Sequence, residues 1–505
     1  MESVISGFLS FSHQFYLSLN PYLLFISAIG TTLGLIWGAM PALSSTMAMA
    51  LLVGFSYKMG LDTAIMFLMG VYTGSVFGGS ISAIYINIPG TPAAVCTAIE
   101  GFPLAKKGEG PLALGTAIVS SAIGNSIGII FLILFFPFLI AAALKFGAWE
   151  LFLLSMWGIG ISGSITGGDE PALKGWISGW LGFLISMVGL ENIHAYPRFT
   201  FGINALYNGV SFVPILIGLF GLAEVLKTLP DVSPYVIKKE GKGVQLLPAF
   251  GIAWKYLRTT VRSGLIGAFI GALPALGADV AAFTAYAVAK RKASREDLTK
   301  YGRGAYEGIV AAETANNASI GGSLLPLLTL TVPGSTVAAA YLGALNLHNV
   351  VVGPMIEFNH PGLVYFHYAA LIIASFFMSV IAVVMARPTL YLFSIPRQIL
   401  LPIIVPICVI GAYASTVTMF DIYVMLFFGI MGYLLSMNKF ALGPMCMGVI
   451  LGPMADLNFR RAVEIYGDQP WWTVLSRPVG DVLIVLVLWT YFDGIFRRRK
   501  IGCDG

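Results

Sequence analysis

Two short breaks, repeated in the same order along the chain, constrain its fold more than any other feature. The first reads Gly78-Gly79-Ser80-Ile81-Ser82-Ala83-Ile84-Tyr85-Ile86-Asn87-Ile88-Pro89-Gly90-Thr91-Pro92. It lies deep in an apolar region, yet it opens on a glycine pair and closes on Pro-Gly. Glycine lets a backbone loosen or another group approach closely, and Pro89 removes an amide donor and ends a helix. In lipid, broken backbone survives only where protein or water covers it. Alone, the stretch reads either as a helix break lining a protected cavity or as a packing kink. The second copy favours the cavity. Gly321-Gly322-Ser323 is followed by Pro333-Gly334-Ser335-Thr336, with nine residues between the motifs where the first copy has eight. Upstream, Gly34-Leu35-Ile36-Trp37-Gly38-Ala39-Met40-Pro41-Ala42-Leu43 aligns without gaps to Gly267-Ala268-Phe269-Ile270-Gly271-Ala272-Leu273-Pro274-Ala275-Leu276, and six of the ten positions are identical. Interrupted apolar segments at corresponding places in two halves point to the binding site of a transporter.

Composition sets the solvent. Of 505 residues, 57% are hydrophobic and 10% charged, and the mean hydropathy is +0.85. Soluble domains do not have this balance. A spanning helix takes roughly 20 residues, so the expected fold is an all-α polytopic membrane protein with about 12 transmembrane helices. It contains two inverted repeats with broken helices or re-entrant hairpins. The expected division is 1–230 for the first half, 231–253 for a connector, 254–398 for the second half and 399–505 for C-terminal helices. The net charge of +5 is small and the basic residues cluster in loops, which gives no support to nucleic-acid binding. Met1-Glu2-Ser3-Val4 lacks the basic start of a signal peptide. Cys96, Cys408, Cys446 and Cys503 form no metal or pairing pattern, and His13, His194, His348, His360 and His367 share no spacing. No metal or organic cofactor is expected.

Apolar segments are expected at about 21–37, then around the first break, and at 112–143, 147–165, 172–190 and 205–227. Others follow at 336–355, 363–386, 399–416, 420–437 and 478–496, with a polar stretch from Asp456 to Arg477. Cytoplasmic loops are enriched in Lys and Arg. The loop at 290–303 has six basic and two acidic residues, while its counterpart at 57–62 has one of each. Lys106 and Lys107 follow the first Pro-Gly, and the counterpart at 335–348 has no Lys or Arg. Basic character swaps between equivalent loops, which is the sign of repeats inserted in opposite orientations.

Half-helices that meet near the midplane aim backbone N–H groups at a common point, and helix N-termini favour anions. The substrate-binding candidates are Gly79, Ser80, Asn87, Pro89, Gly90 and Thr91 in the first half. In the second they are Asn316, Asn317, Gly322, Ser323, Pro333, Gly334, Ser335 and Thr336. With no Lys or Arg inside the motifs, backbone dipoles and side-chain donors suit a carboxylate. The plain alternative is helix–helix glue. Ser44, Ser45 and Thr46 can cap a half-helix, and with the intramembrane carboxylates Asp279 and Glu313 they are candidates for coupling to Na⁺ or H⁺. Asp279 can instead lie near the interface, and Glu313 can order the break without touching ligand. No G-x-x-x-x-G-K-[ST], G-x-S-x-G or H-E-x-x-H motif occurs, so neither P-loop ATP hydrolysis nor these hydrolase classes are expected.

Phe77-Gly78-Gly79-Ser80 through Pro89-Gly90, followed by Glu100-Gly101-Phe102-Pro103-Leu104-Ala105-Lys106-Lys107-Gly108, resembles the signature of the large membrane subunit of tripartite tricarboxylate transporters. Glu313-Thr314-Ala315-Asn316-Asn317-Ala318 with Gly321-Gly322 and Pro333-Gly334-Ser335 resembles the second-half motif of that family. Leu451-Gly452-Pro453, Gly467-Asp468 and Arg477-Pro478 are similar to its C-terminal pattern. The resemblance implies a bacterial inner-membrane secondary transporter, driven by an ion gradient, for citrate-like or other organic carboxylates. It further implies a small four-span membrane subunit and a periplasmic solute-binding protein as partners, and a homodimer of the complex is an open possibility. An elevator-like or rocking movement is expected. The other class to weigh is a passive carboxylate channel or exchanger without a binding protein. Two departures stand out. The family generally has Pro-Gly where this chain has Pro41-Ala42 and Pro274-Ala275, and usually Asp where it has Glu100.

Overall fold

The computed structural model describes residues 2–40, 43–165, 172–191, 193–228, 243–392, 397–467 and 477–501. Pro41-Ala42, residues 229–242, Asp468 and Cys503 lie outside them. The chain is built from helices. The first group is α1 (Glu2–Ser18), α2 (Pro21–Ala39), α3 (Ser45–Ser56), α4 (Leu61–Ile86), α5 (Val95–Lys106) and α6 (Gly110–Ala143). Then come α7 (Ala148–Ile165), α8 (Ala172–Ser186), α9 (Phe212–Leu216) and α10 (Ala223–Thr228), the last two joined by a π-type turn Ile217–Leu222. The second run is α11 (Leu246–Lys255), α12 (Leu257–Gly271), α13 (Gly277–Lys292), α14 (Arg295–Leu298), α15 (Tyr306–Leu330), α16 (Thr336–Leu347), α17 (Ile356–Asn359) and α18 (Leu363–Leu392). The tail is α19 (Arg397–Thr416), α20 (Met419–Met437), α21 (Leu442–Tyr466) and α22 (Pro478–Ile501). Two short strands, Gly189–Leu190 and Pro197–Arg198, pair antiparallel after α8.

Among the described residues, five helices are long and apolar enough to cross a membrane: Pro21–Ala39, Leu61–Ile86, Gly110–Ala143, Leu363–Thr389 and Met419–Met437. Shorter apolar helices accompany them, so the chain is an all-α membrane protein. Helices in lipid gain no hydrophobic drive from each other and rely on close packing through small residues. In the first half, Gly34 and Gly38 of α2 sit so close to the Val71 and Ser75 carbonyls of α4 that a Cβ on either would lie 2.4 and 2.2 Å away. Gly267 and Gly271 of α12 stand in the same relation to Ala315 and Ser319 of α15, at 2.3 and 2.4 Å. Gly78 meets the Leu35 carbonyl, and Gly322 meets that of Ala268.

These contacts correct the register of the two breaks. Gly78 corresponds to Gly322 and Gly79 to Ser323, so matching Gly-Gly-Ser to Gly-Gly-Ser is off by one residue. On the contact register the unequal spacing disappears. Asn87 and Thr331, at φ 56° and 60°, become matched left-handed C-caps, and Pro89-Gly90 matches Pro333-Gly334 without a gap. Packing conserves the place where backbones touch, and the identity of the next residue is free to differ. Ala275 also takes a left-handed φ of 63°, at one of the two turns where the resembled family has glycine.

Loops gather by charge. Lys107 Nζ donates to the Arg303 carbonyl at 2.8 Å, and Tyr306 donates to Glu109 at 2.7 Å, so the two basic loops share one end of the molecule. At the other end His348, after α16, lies beside Ser56, the last residue of α3. Helices α2–α6, α12–α16 and α18 form one packed group, with α6 along α15 and α18 along α4. Helices α7–α10 and α19–α22 form a second group that meets the first mainly through α3 and α16.

Several expectations need correction. The stretch at 336–355 is not one span. The helix ends at Leu347, and Asn349 and Gly353 then take left-handed or extended positive-φ conformations that no helix continues through. The polar stretch from Asp456 is helical as far as Tyr466, where α21 ends, and 468–476 lie outside the described residues. Its charges are neutralised where they stand: Arg198 grips Asp456 with both terminal nitrogens, at 3.1 and 2.9 Å, and Arg460 Nε adds a third bond at 3.0 Å. Charge hid this helix from a reading based on apolar runs. Helix α1 packs on α18, and α11 occupies part of the expected connector.

Candidate functional site

The breaks create half-helices whose first turns need partners, since the opening N–H groups of a helix have none within it. Ser44 Oγ accepts from Met47 N at 3.1 Å and caps α3, as the sequence predicts. Ser335 Oγ accepts from Ala338 N at 3.0 Å and caps α16. These two first turns meet across the halves, where Thr46 and Thr336 share a 2.7 Å hydrogen bond between hydroxyls. Tyr72 of α4 joins them, its hydroxyl 2.8 Å from Ser335 Oγ. Ser45 is buried beside this contact.

The counterpart crossing brings the first turn of α13 to the turn Pro92–Ala94 that leads into α5. Asp279, which corresponds to Thr46, accepts from Ala93 N at 3.0 Å. Thr91 and Asn316 correspond to Ser335 and Tyr72. Both are buried, and Thr91 Oγ1 and Asn316 Oδ1 have no hydrogen-bond partner among the described residues. Asn316 Nδ2 donates to the Val76 carbonyl at 3.3 Å. One crossing is closed by hydroxyl pairs, and the other presents a carboxylate and two unspent oxygens. Unpaired oxygens at such depth are costly unless water or a ligand meets them.

The remaining candidates divide. Gly79 and Gly90 lie together: the Gly90 amide donates to the Gly79 carbonyl at 3.3 Å, and a Cβ on Gly79 would sit 2.8 Å from Thr91 Oγ1. Pro333 and Gly334 receive the backbone N–H groups of Ala275 and Gly277 at 3.4 and 3.0 Å, which ties the two breaks of the second half to each other. Ser323 packs against Gly334. Gly322 faces α12 instead, Asn87 is exposed at the end of α4 ahead of Pro89, and Asn317 turns its amide onto the Glu313 carbonyl of its own helix at 3.3 Å. Glu313 is a junction. Ser80 of α4 donates to it at 2.6 Å, Ser121 of α6 at 3.0 Å, and Thr97 of α5 also donates to it. Its oxygens and the Ser80 hydroxyl are therefore spent on holding four helices together.

Tyr72 and Glu100 escaped the sequence reading as contributors. Tyr72 is one polar group in a long apolar run, and only its reach across to the other half marks it. Glu100 is fully buried and accepts from Tyr286 at 2.6 Å and from the backbone N–H groups of Gly302, Gly304 and Ala305 at 2.8, 3.1 and 2.8 Å. It fastens α5 to the loop that opens α15. A lone acidic residue ahead of Gly101-Phe102-Pro103 was the available signal.

Comparison with known sequences agrees with this architecture. The profile of the tripartite tricarboxylate transporter TctA family matches residues 24–447. A 52.8 kDa protein from the TAR-I ttuC' 3' region of Agrobacterium vitis, described as uncharacterized, is 32% identical over 479 residues, covering 94% of this chain and 93% of its own. A second protein, from the TAR-II ttuC' 3' region of the same organism, is 32% identical over 223 residues, covering 44% of this chain and 90% of its own. No solved structure matches the chain.

Proposed function

Because the chain belongs to the TctA family of tripartite tricarboxylate transporters, we propose that it is the large transmembrane subunit of an ion-coupled importer of an organic carboxylate. The observation that carries this reading is the recurrence of one set of contacts in both halves, ending in half-helices that meet first turn to first turn. Two inverted repeats account for it: α2–α5 and α12–α16 are the same unit entered from opposite faces. Their break positions, the matched C-caps at Asn87 and Thr331, and the segregation of basic loops all follow. Such a pair gives alternate access to one site.

The site lies at the two crossings. Backbone N–H groups of the first turns, with the hydroxyl of Thr91, hold the carboxylate oxygens. Asp279 and the free oxygens of Thr91 and Asn316 serve the coupling ion, for which Na⁺ suits neutral oxygen ligands and H⁺ suits Asp279. The fold offers no nucleotide motif, so uphill movement draws on an ion gradient. A small four-span subunit and a periplasmic binding protein complete the assembly, in the bacterial inner membrane with the basic end in the cytoplasm.

Topology is tested first. In a cysteine-free background, Ala293→Cys is expected to label from the cytoplasmic side and Asp62→Cys from the opposite side. Same-side labelling sinks the inverted repeats. Transport is tested in vesicles holding this chain and the small subunit. Uphill uptake of labelled carboxylate is expected only with an inward Na⁺ or H⁺ gradient and the cognate binding protein. Uptake that survives collapse of both gradients refutes coupling, uptake without the binding protein refutes the tripartite assembly, and absence of counterflow identifies a channel.

A further inference from the structure

Helix α12 carries an outward face that the two crossings do not use. Leu257, Val261, Leu265 and Phe269 stand four residues apart, so they form one stripe along the helix, and each is between 42 and 54% exposed. Arg258 and Arg262 flank the stripe where α12 begins. Arg258 is exposed and makes no hydrogen bond or ion pair among the described residues. Arg262 donates through Nη2 to Thr259 Oγ1 at 3.3 Å, and its Nε is buried without a partner among the described residues. The start of α12 has no side-chain cap, and its first turn holds no acidic residue. Cations there face the positive end of the helix dipole, and like charges one turn apart repel, so the start of α12 favours an anion.

The two arginines stand at the level of lipid head groups. Tyr256, just before α12, donates its hydroxyl to Asp297 of the basic loop at 3.2 Å. Thr259 donates to Glu307 in the first turn of α15 at 2.7 Å, and Gly271 packs against Ser319 near the middle of that 25-residue helix. With a rise of about 1.5 Å per residue, Arg262 stands roughly 14 Å and Arg258 roughly 20 Å from the level of Gly271. Half of a hydrocarbon core is about 15 Å. With α15 read as a span, Arg258 therefore lies among head groups, Arg262 at the edge of the hydrocarbon, and Leu265 and Phe269 within it. The Phe269 ring rests on Phe131 and Phe135 of α6, with centroids 4.9 and 6.0 Å away, which closes the far end of the stripe. We propose that this face of α12 is a binding site for an anionic phospholipid of the leaflet at the basic end. Arg258 and Arg262 take the phosphate, and one acyl chain lies along Val261, Leu265 and Phe269. Any lipid suits the exposed stripe of Tyr423, Phe427, Ile430 and Leu434 on α20, a helix without Lys or Arg. On α12 the paired cations select the charged head group.

The test uses the full chain with its small subunit in nanodiscs that hold phosphatidylglycerol and phosphatidylcholine in equal amounts. A photoreactive benzoylphenylalanine in place of Leu265 is expected to capture phosphatidylglycerol over phosphatidylcholine by about tenfold or more, and the same probe in place of Phe427 is expected to show no preference. Arg258→Gln is expected to lower the preference at 265 by about fivefold, and Arg258→Gln with Arg262→Gln to abolish it. Lys290→Gln with Arg291→Gln removes as much charge from the same end and is expected to leave the preference in place. If the Arg258→Gln, Arg262→Gln protein fails to accumulate, Arg258→Gln alone decides. Equal capture of both lipids at 265, or the same loss of preference from the Lys290→Gln, Arg291→Gln pair, overturns the site. Capture of the small subunit from 265 makes that polypeptide the occupant and overturns it as well. Each of these results leaves ion coupling and the inverted repeats to their own tests.

Discussion

Gly334→Ala is expected to remove the folded protein from the membrane. A Cβ on Gly334 would lie 2.0 Å from the Gly271 carbonyl and 2.8 Å from the Ser323 Cα, both backbone. No side chain can rotate out of the way, so α12 must separate from the break between α15 and α16. Overpacking a fitted interior costs about 1–3 kcal/mol, and a clash with two backbones belongs at or above that limit. Gly90→Ala carries the same expectation, because its Cβ would lie 2.0 Å from the Gly38 carbonyl. Gly251→Ala is the control. Gly251 is exposed within α11, nothing lies within 4 Å of an added Cβ, and alanine is a better helix former by about 0.5–1 kcal/mol. Fluorescence-detected size-exclusion profiles and melting temperatures of tagged variants measure all three. A monodisperse Gly334→Ala protein that melts with the parent refutes the closeness of this packing.

Glu313→Ala is expected to cost stability before it costs transport. Three buried hydroxyls, on Ser80, Thr97 and Ser121, lose their acceptor at once. Each orphaned group costs about 1–3 kcal/mol, so a loss of roughly 3–9 kcal/mol is the ceiling, less whatever the hydroxyls recover from their own helix carbonyls. Glu313→Gln keeps one oxygen in place and is expected to fall between the two. Melting of the purified variants distinguishes the roles. A Glu313→Ala protein as stable as the parent, yet unable to couple uptake to an ion, makes Glu313 a coupling residue instead of a tie.

What sequence alone determined here is local chemistry. Gly-Gly and Pro-Gly end helices by their own backbone properties, so both breaks, the cap at Ser44 and the start of the half-helix at Thr336 are readable without neighbours. Apolar runs of about 20 residues determine helices in lipid for an equally local reason. Facing partners are not local. Gly78 and Gly322 match because each meets a carbonyl on another helix, which shifts the register of the breaks by one residue and pairs Tyr72 with Asn316. That Ser80 serves Glu313, that Tyr72 reaches Ser335, and that Asp456 sits within a helix under two arginines are all products of packing. Tertiary structure alone decided them, because a buried polar group finds its place from whichever donor or acceptor the fold brings within about 3 Å. Sequence separation carries no information about that distance.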